Sequence, residues 1–190
     1  MYGGKVKRLD VKMIKDGFSV FLKKSEIFRN GYLKNLKYPD KNFKEKLMHC
    51  YGIVPDFMNE IYSFCNGTDV DIIDQRYFDF IPGYRLMKIE EIVLMYEEFH
   101  QLDGVVIPFL KDYSSNYIAY QKVDNLEYII SISEEGIDIL HNSVYKFWET
   151  INTFYDENVY YLDQDGYLAY DFKLEGIIGK RLNAGIEYWE

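Results

Sequence analysis

Residues 54–67 read Val54-Pro55-Asp56-Phe57-Met58-Asn59-Glu60-Ile61-Tyr62-Ser63-Phe64-Cys65-Asn66-Gly67, a short helix whose start and stop are written into the sequence. Pro55 stands where a first-turn proline is tolerated, because the N–H it lacks has no partner inside the helix. Asp56 and Glu60 set negative charge toward the positive end of the helix dipole. Phe57, Ile61, Phe64 and Cys65 recur at helical spacing and predict one apolar stripe for burial. Asn66-Gly67 supplies a left-handed stop. The stretch carries packing information and no catalytic motif.

Working outward, 190 residues suit one domain with a sizeable core. The 19 tyrosines are read first as half-buried sheet residues and second as recognition residues. Cys50 and Cys65 form neither a close pair nor a framework, and each sits in a helical pattern as a small hydrophobe. The opening Met-Tyr-Gly-Gly-Lys-Val-Lys-Arg has no apolar signal core, and no apolar run reaches membrane-spanning length. A reducing cytoplasm is therefore the expected location, with no membrane association.

Charge divides the chain. Residues 1–46 hold thirteen Lys/Arg against five Asp/Glu, net +8, and the remainder holds nine against twenty-six, net −17. A basic arm (Lys5, Lys7, Arg8, Lys12 and Lys15, then Lys23, Lys24, Arg29, Lys34 and Lys37) thus precedes an acidic body. The body would repel phosphates, so direct nucleic-acid binding is not expected.

The periodicity predicts an irregular segment or short strand over residues 1–17, then a helix over 18–28. A second helix with Phe43, Leu47, Met48 and Tyr51 on one face ends at Gly52. After the helix of residues 54–67 come a strand-like pulse at 70–73 and an aromatic strand at 77–81. A turn at Pro82-Gly83 and a helix over 89–99 follow. Strands are predicted at 105–110, 117–120, 128–132 and 136–140. Asn142 or Ser143 caps a helix over 144–154. A hairpin joins 159–162 to 167–172 through Asp163-Gln164-Asp165-Gly166, and residues 174–190 form a Gly-containing tail. Helices followed by strands and a closing helix predict an α+β fold.

Catalytic motifs are absent from the sequence: there is no phosphate-binding glycine loop, nucleophile elbow or His-Glu-x-x-His. His49, His100 and His141 lie on separate segments and are read as surface or helix-end residues. Cys50, Cys65 and His49 make a poor zinc set. Asp163-Gln164-Asp165-Gly166 resembles a calcium loop, but Leu174 occupies the position of its bidentate glutamate, so the hairpin turn is favoured. Asp69, Asp71, Asp74 and Asp79 form the densest acidic cluster. A carboxylate pair there would serve acid/base hydrolysis, and a solvated acidic face is the favoured reading. No metal or other cofactor is expected.

The ordered set Val54–Gly67, Arg85–Ile92, Val106–Leu110, Tyr117–Tyr120, Tyr128–Ile132 and Ser143–Phe154 resembles the SUKH superfamily of Smi/Knr-like proteins. The resemblance covers residues 40–172, with residues 1–39 as a basic N-terminal extension and 40–190 as the domain. In one departure, Val106 stands where many members carry a Trp before the Ile-Pro of the middle strand. The resemblance implies a central, mostly antiparallel sheet flanked by helices. It also implies a cytoplasmic immunity protein that binds and neutralises a cognate bacterial polymorphic toxin, often a nuclease. A Smi/Knr-like regulatory scaffold of cell-wall synthesis or signalling is the alternative, and a carboxylate-dependent hydrolase a remote one. An acidic face can enter a cationic nuclease site as a phosphate mimic. The residues expected to form it are Asp69, Asp71, Asp74, Asp79, Asp163 and Asp165, with Tyr77 and Tyr161 as anchors.

Overall fold

The structure, a computed structural model, describes the backbone of residues 3–190 and the side chains of residues 16–190. The order is α1 (Gly3–Phe28), α2 (Phe43–Tyr51), α3 (Asp56–Phe64), β1 (Arg85–Leu86), α4 (Ile89–Leu94) and α5 (Tyr96–Phe99). Strands β2 (Val105–Lys111), β3 (Tyr117–Val123), β4 (Leu126–Ser133) and β5 (Gly136–His141) follow. The chain closes with α6 (Val144–Asp156), β6 (Tyr160–Leu162), β7 (Leu168–Tyr170) and α7 (Phe172–Leu182). Strands β1 to β5 pair in chain order as an antiparallel sheet, and β6–β7 is a separate hairpin. The fold is α+β, as the sequence predicts.

Alternation along β3 places helices on both faces of the sheet. Tyr120 stacks on Phe57 of α3, while Tyr117, on the opposite face, meets the ring edge of Phe99 of α5. Pro108 cannot donate to the ladder, and the register slips between Pro108 and Leu110. The bulged residue, Phe109, packs on Phe57 at 5.0 Å and Phe147 at 5.7 Å. Trp148 of α6 stands at the centre of this core, with Phe18, Phe21 and Phe57 around it at 5.3, 5.3 and 5.7 Å.

The basic segment joins that core. Gly17 lets α1 close on α6, because a Cβ there would lie 2.7 Å from Trp148 Cβ. Asn152 donates to the Gly17 carbonyl, and Lys24 pairs with Asp156 at 2.6 Å. A boundary at residue 39 therefore does not coincide with a gap in the packing: Phe18, Phe21 and Tyr32 are buried with the rest. The side chains of Lys5, Lys7, Arg8, Lys12 and Lys15 lie outside the described residues.

Several expectations are corrected. From Gly3 onward the segment expected to be irregular or a strand is helical. In α3 the buried stripe is Phe57, Met58, Ile61 and Tyr62 with Cys65, while Phe64 is 42% exposed. Tyr62 is drawn inward because its hydroxyl donates to the Met87 carbonyl at 2.8 Å. Gly67 alone is left-handed (φ +79°), whereas Asn66 spends its side chain on the start of α4, accepting from Ile89 N and donating to Glu90. Met48 of α2 is exposed.

Residues 77–81 do not form a strand. Asp74 caps a 3-10 turn over Gln75–Tyr77, and the chain recovers extended pairing only at an Ile81–Tyr84 bridge. Asp79 holds that turn by accepting from Gly83 N. The pulse at 70–73 is also irregular, with Ile72 alone buried. The helix predicted over 89–99 breaks at Met95 into α4 and α5. The expected tail is α7 followed by a 3-10 turn, Glu187–Trp189. Asp171 starts α7 by accepting from Lys173 N and Leu174 N.

Candidate functional site

The hairpin β6–β7 turns where Asp163-Gln164-Asp165-Gly166 predicts. Asp163 accepts from the amides of Asp165 and Tyr167, an Asx arrangement that fixes the turn. Tyr160 and Leu168 anchor the hairpin in the core with Tyr170 on the same face, while Tyr161, Asp163, Asp165 and Tyr167 face solvent. The turn lies against the acidic segment. Asp74, Arg76, Asp165 and Tyr167 line one shallow groove, and a Cβ on Gly166 would come within 3.2 Å of Arg76 Cδ.

The remaining predicted residues are placed differently. Arg76 grips Asp74 in a two-pronged pair, donating from Nε at 2.8 Å and Nη2 at 2.6 Å. That pair holds the Asp74 carboxyl below its usual range. Lys37 binds Asp69 at 2.6 Å with the same effect. Asp71 is exposed. Asp79 is turned partly inward, accepting from Gly83 N and from the Tyr113 hydroxyl at 2.9 Å, and burial raises its pKa. The Tyr77 hydroxyl is committed to the Asn30 carbonyl at 2.9 Å. Asp74 and Asp165 thus line the same groove, with Asp74 paired to Arg76, while Asp69 is held by Lys37 and Asp79 by Gly83 N and Tyr113. The exposed carboxylates among the predicted set that have no Lys or Arg partner among the described residues are Asp71, Asp163 and Asp165.

A second feature was not singled out from the sequence. Between the hairpin, α6, α7 and the C-terminal 3-10 turn lies a cavity of about 180 Å³. Its walls include Tyr84, Tyr160, Tyr170, Tyr188 and Trp189. One carboxylate, Glu175 of α7, lines it. Among the described residues no Lys or Arg pairs with Glu175, and burial alone pushes its pKa from 4.5 up to about 7. The charge of Glu175 is felt at the hydroxyls of Tyr84, Tyr160, Tyr170 and Tyr188, each held above its ordinary pKa chiefly by burial. Phe172, Glu175, Tyr188 and Trp189 also line an outer groove along α7, so Glu175 stands where cavity and groove meet.

His141 lines the same cavity but is held neutral. Burial lowers its pKa to about 4, outweighing its 2.9 Å hydrogen bond to Asn183 Oδ1. Asn183 also donates to Thr150 Oγ1 and the Gly179 carbonyl, which ties the end of α7 to α6 and β5. The signal that could have revealed α7 is Leu174, Ile178 and Leu182 at helical spacing behind Asp171, obscured by two glycines.

Among the described residues no group of three or more His, Cys, Asp or Glu is placed to hold a metal, and no helix is long and apolar enough to cross a membrane. A two-carboxylate hydrolase needs a second acid roughly 5–10 Å from the first. Glu175 has no such partner in the cavity lining. No protein-family model matches the chain, and no curated protein matches it in sequence.

Proposed function

We propose that this chain is a protein-binding module of the immunity type, similar to SUKH proteins, that neutralises a cognate toxin by docking the β6–β7 face onto it. The observation that carries this reading is the hairpin itself. Its inner residues fix it to the core, and its outer residues offer Tyr161 and Tyr167 beside Asp163 and Asp165. Tyrosine gives large contact area at low entropy cost, which is why rigid tyrosine-bearing elements make good recognition surfaces. The carboxylates match a cationic partner such as a nuclease site, and the net −17 of residues 47–190 would steer its approach. The partner is a protein toxin acting in the cytoplasm.

The test is co-expression with the product of the neighbouring toxin gene, followed by size exclusion of the mixture. Rescue of growth together with a stoichiometric complex supports the reading. A toxin that kills regardless and elutes separately overturns it.

A further inference from the structure

We propose that the cavity between the hairpin, α7 and the C-terminal 3-10 turn binds an alkylammonium group, with Glu175 as its counter-ion and the rings of Tyr84, Tyr160, Tyr170 and Tyr188 as its walls. A cation seated among aromatic rings is attracted by their negative faces, and the attraction grows where water is excluded. A carboxylate within the same enclosure adds a charge-assisted contact. These two ingredients converge here, on a lining that also includes Phe154 and Trp189.

Glu175 is the informative group. Glu175 is half-buried, and a carboxylate partly withdrawn from water ordinarily finds a cation or several hydrogen bonds, because removing charge from water without a partner is costly. Here α7 carries Lys173 and Lys180, yet Lys180 is paired with Glu190 at 2.7 Å and neither lysine acts on Glu175. Among the described residues no Lys or Arg lines the cavity: β6, β7 and the C-terminal turn contribute tyrosines, His141 of β5 is neutral, and Lys146 of α6, whose charge is felt at His141, is paired with Glu149 at 2.6 Å. Asp112 and Asp138, the other charges felt at the rim tyrosines, are negative. The cavity lining thus holds one carboxylate and no Lys or Arg, and it shares Phe172, Glu175, Tyr188 and Trp189 with the outer groove, where Lys173, Lys180 and Glu190 also lie.

Size narrows the ligand. The 180 Å³ cavity has the volume of roughly six waters at about 30 Å³ each, below the several hundred Å³ of sites for whole cofactors. It suits a primary or methylated ammonium on a short stem. Such a group can arrive as a free amine or on a lysine side chain.

The experiment is calorimetric titration of the full chain with choline, with its neutral isostere 3,3-dimethylbutanol, and with end-blocked lysine and trimethyllysine. Choline or a lysine derivative is expected to bind with a Kd of about 1 mM or tighter, and the isostere at least about tenfold more weakly. Choline alone marks a free amine as the ligand, and binding of the lysine derivatives marks a side chain. Glu175→Gln should lose about tenfold in affinity and Tyr170→Leu about fivefold, with the fold checked by circular dichroism. Should a variant not fold, the wild type supplies the test, because affinity must fall as Glu175 is protonated below pH 7. No saturable binding by any ammonium, an isostere that binds as well as choline, or an affinity indifferent to pH overturns the proposal. None of these measurements involves the toxin, so the proposal stands or falls apart from the immunity reading.

Discussion

The indole of Trp189 lies on Gly179, where an added Cβ would come within 2.1 Å of Cε3. The ring is held there by its own N–H, which donates to the Leu140 carbonyl at 2.7 Å. The absent side chain at Gly179 is what lets the C-terminal 3-10 turn close over α7 and complete the cavity wall.

Gly179→Ala should therefore destabilise the protein by about 1–3 kcal/mol, the usual cost of overpacking, despite the better helix propensity of alanine. Gly176, three residues earlier on the same helix, has open space where its Cβ would be. Gly176→Ala should stabilise by about 0.5–1 kcal/mol. Urea unfolding of the two variants checks the pair, and equal effects of the same sign would refute the role assigned to Trp189.

Gly67 makes a second, sharper case. Its φ of +79° disfavours any L side chain, and a Cβ there would meet the Met87 carbonyl oxygen at 2.7 Å. Backbone atoms cannot step aside as a flexible side chain can. Gly67→Ala should cost more than about 2 kcal/mol, and it should also disturb the Thr68 amide bond to the Leu86 carbonyl, 2.9 Å long. Amide hydrogen exchange at Thr68 and Ile89 would show local opening; unchanged protection at both positions would contradict it.

How far the fold was legible follows from cases like these. The meander β2–β5 and helix α6 could be read because alternation and helical spacing are local signals, and Ser143 caps α6 through its bond to Lys146 N as its residue type predicts. Helix α7 was missed because Gly176 and Gly179 mimic a loop, and the reason for Gly179 is a tryptophan ten residues away. The strand expected at 77–81 failed because Asp74 and Asp79 offer the backbone side-chain acceptors that favour turns. For the candidate face, the hairpin aspartates were legible from their turn. The pairing of Asp69 with Lys37 was not, since it joins segments thirty-two positions apart. Glu175 was invisible for a related reason: a carboxylate looks solvated in sequence until the fold encloses it.

Acidity should reveal that enclosure. His141 has its pKa lowered from 6.5 to about 4 by burial. Below pH 6.5 the unfolded chain accepts a proton that the folded chain refuses, so stability is lost as pH falls toward 4, on the order of 3 kcal/mol in total. Glu175 acts in the opposite sense. Its folded pKa, raised from 4.5 to about 7, makes the folded chain hold a proton that the unfolded chain has released. The stability this confers is complete below pH 4.5 and is lost as pH rises through 7. Between 4.5 and 6.5 the two slopes oppose, and the wild type should vary little. Glu175→Gln removes one of them, so the variant should exceed the wild type in stability above pH 7 and lose it more steeply on acidification. Urea midpoints across this range decide the matter, and parallel curves for the two proteins would count against the enclosure of Glu175.

Complex formation with the proposed toxin partner should separate the tyrosines from the aspartates of the hairpin. Asp163 and Asp165 are exposed, and exposed charge acts mainly on the rate of encounter. Asp165→Lys should slow association by about tenfold at low salt and have little effect once salt shortens the range of the field. Asp163 is a poorer choice for that test, because its carboxylate also accepts from two turn amides and its loss would loosen the hairpin. The Tyr161 side chain is exposed and its hydroxyl makes no hydrogen bond among the described residues, so Tyr161→Ala should leave stability within about 0.5 kcal/mol while raising the dissociation rate about tenfold or more. Surface plasmon resonance at two salt concentrations reads both constants. An Asp165→Lys protein that associates at the wild-type rate, with Tyr161→Ala dissociating as slowly as its parent, would move the interface away from this hairpin.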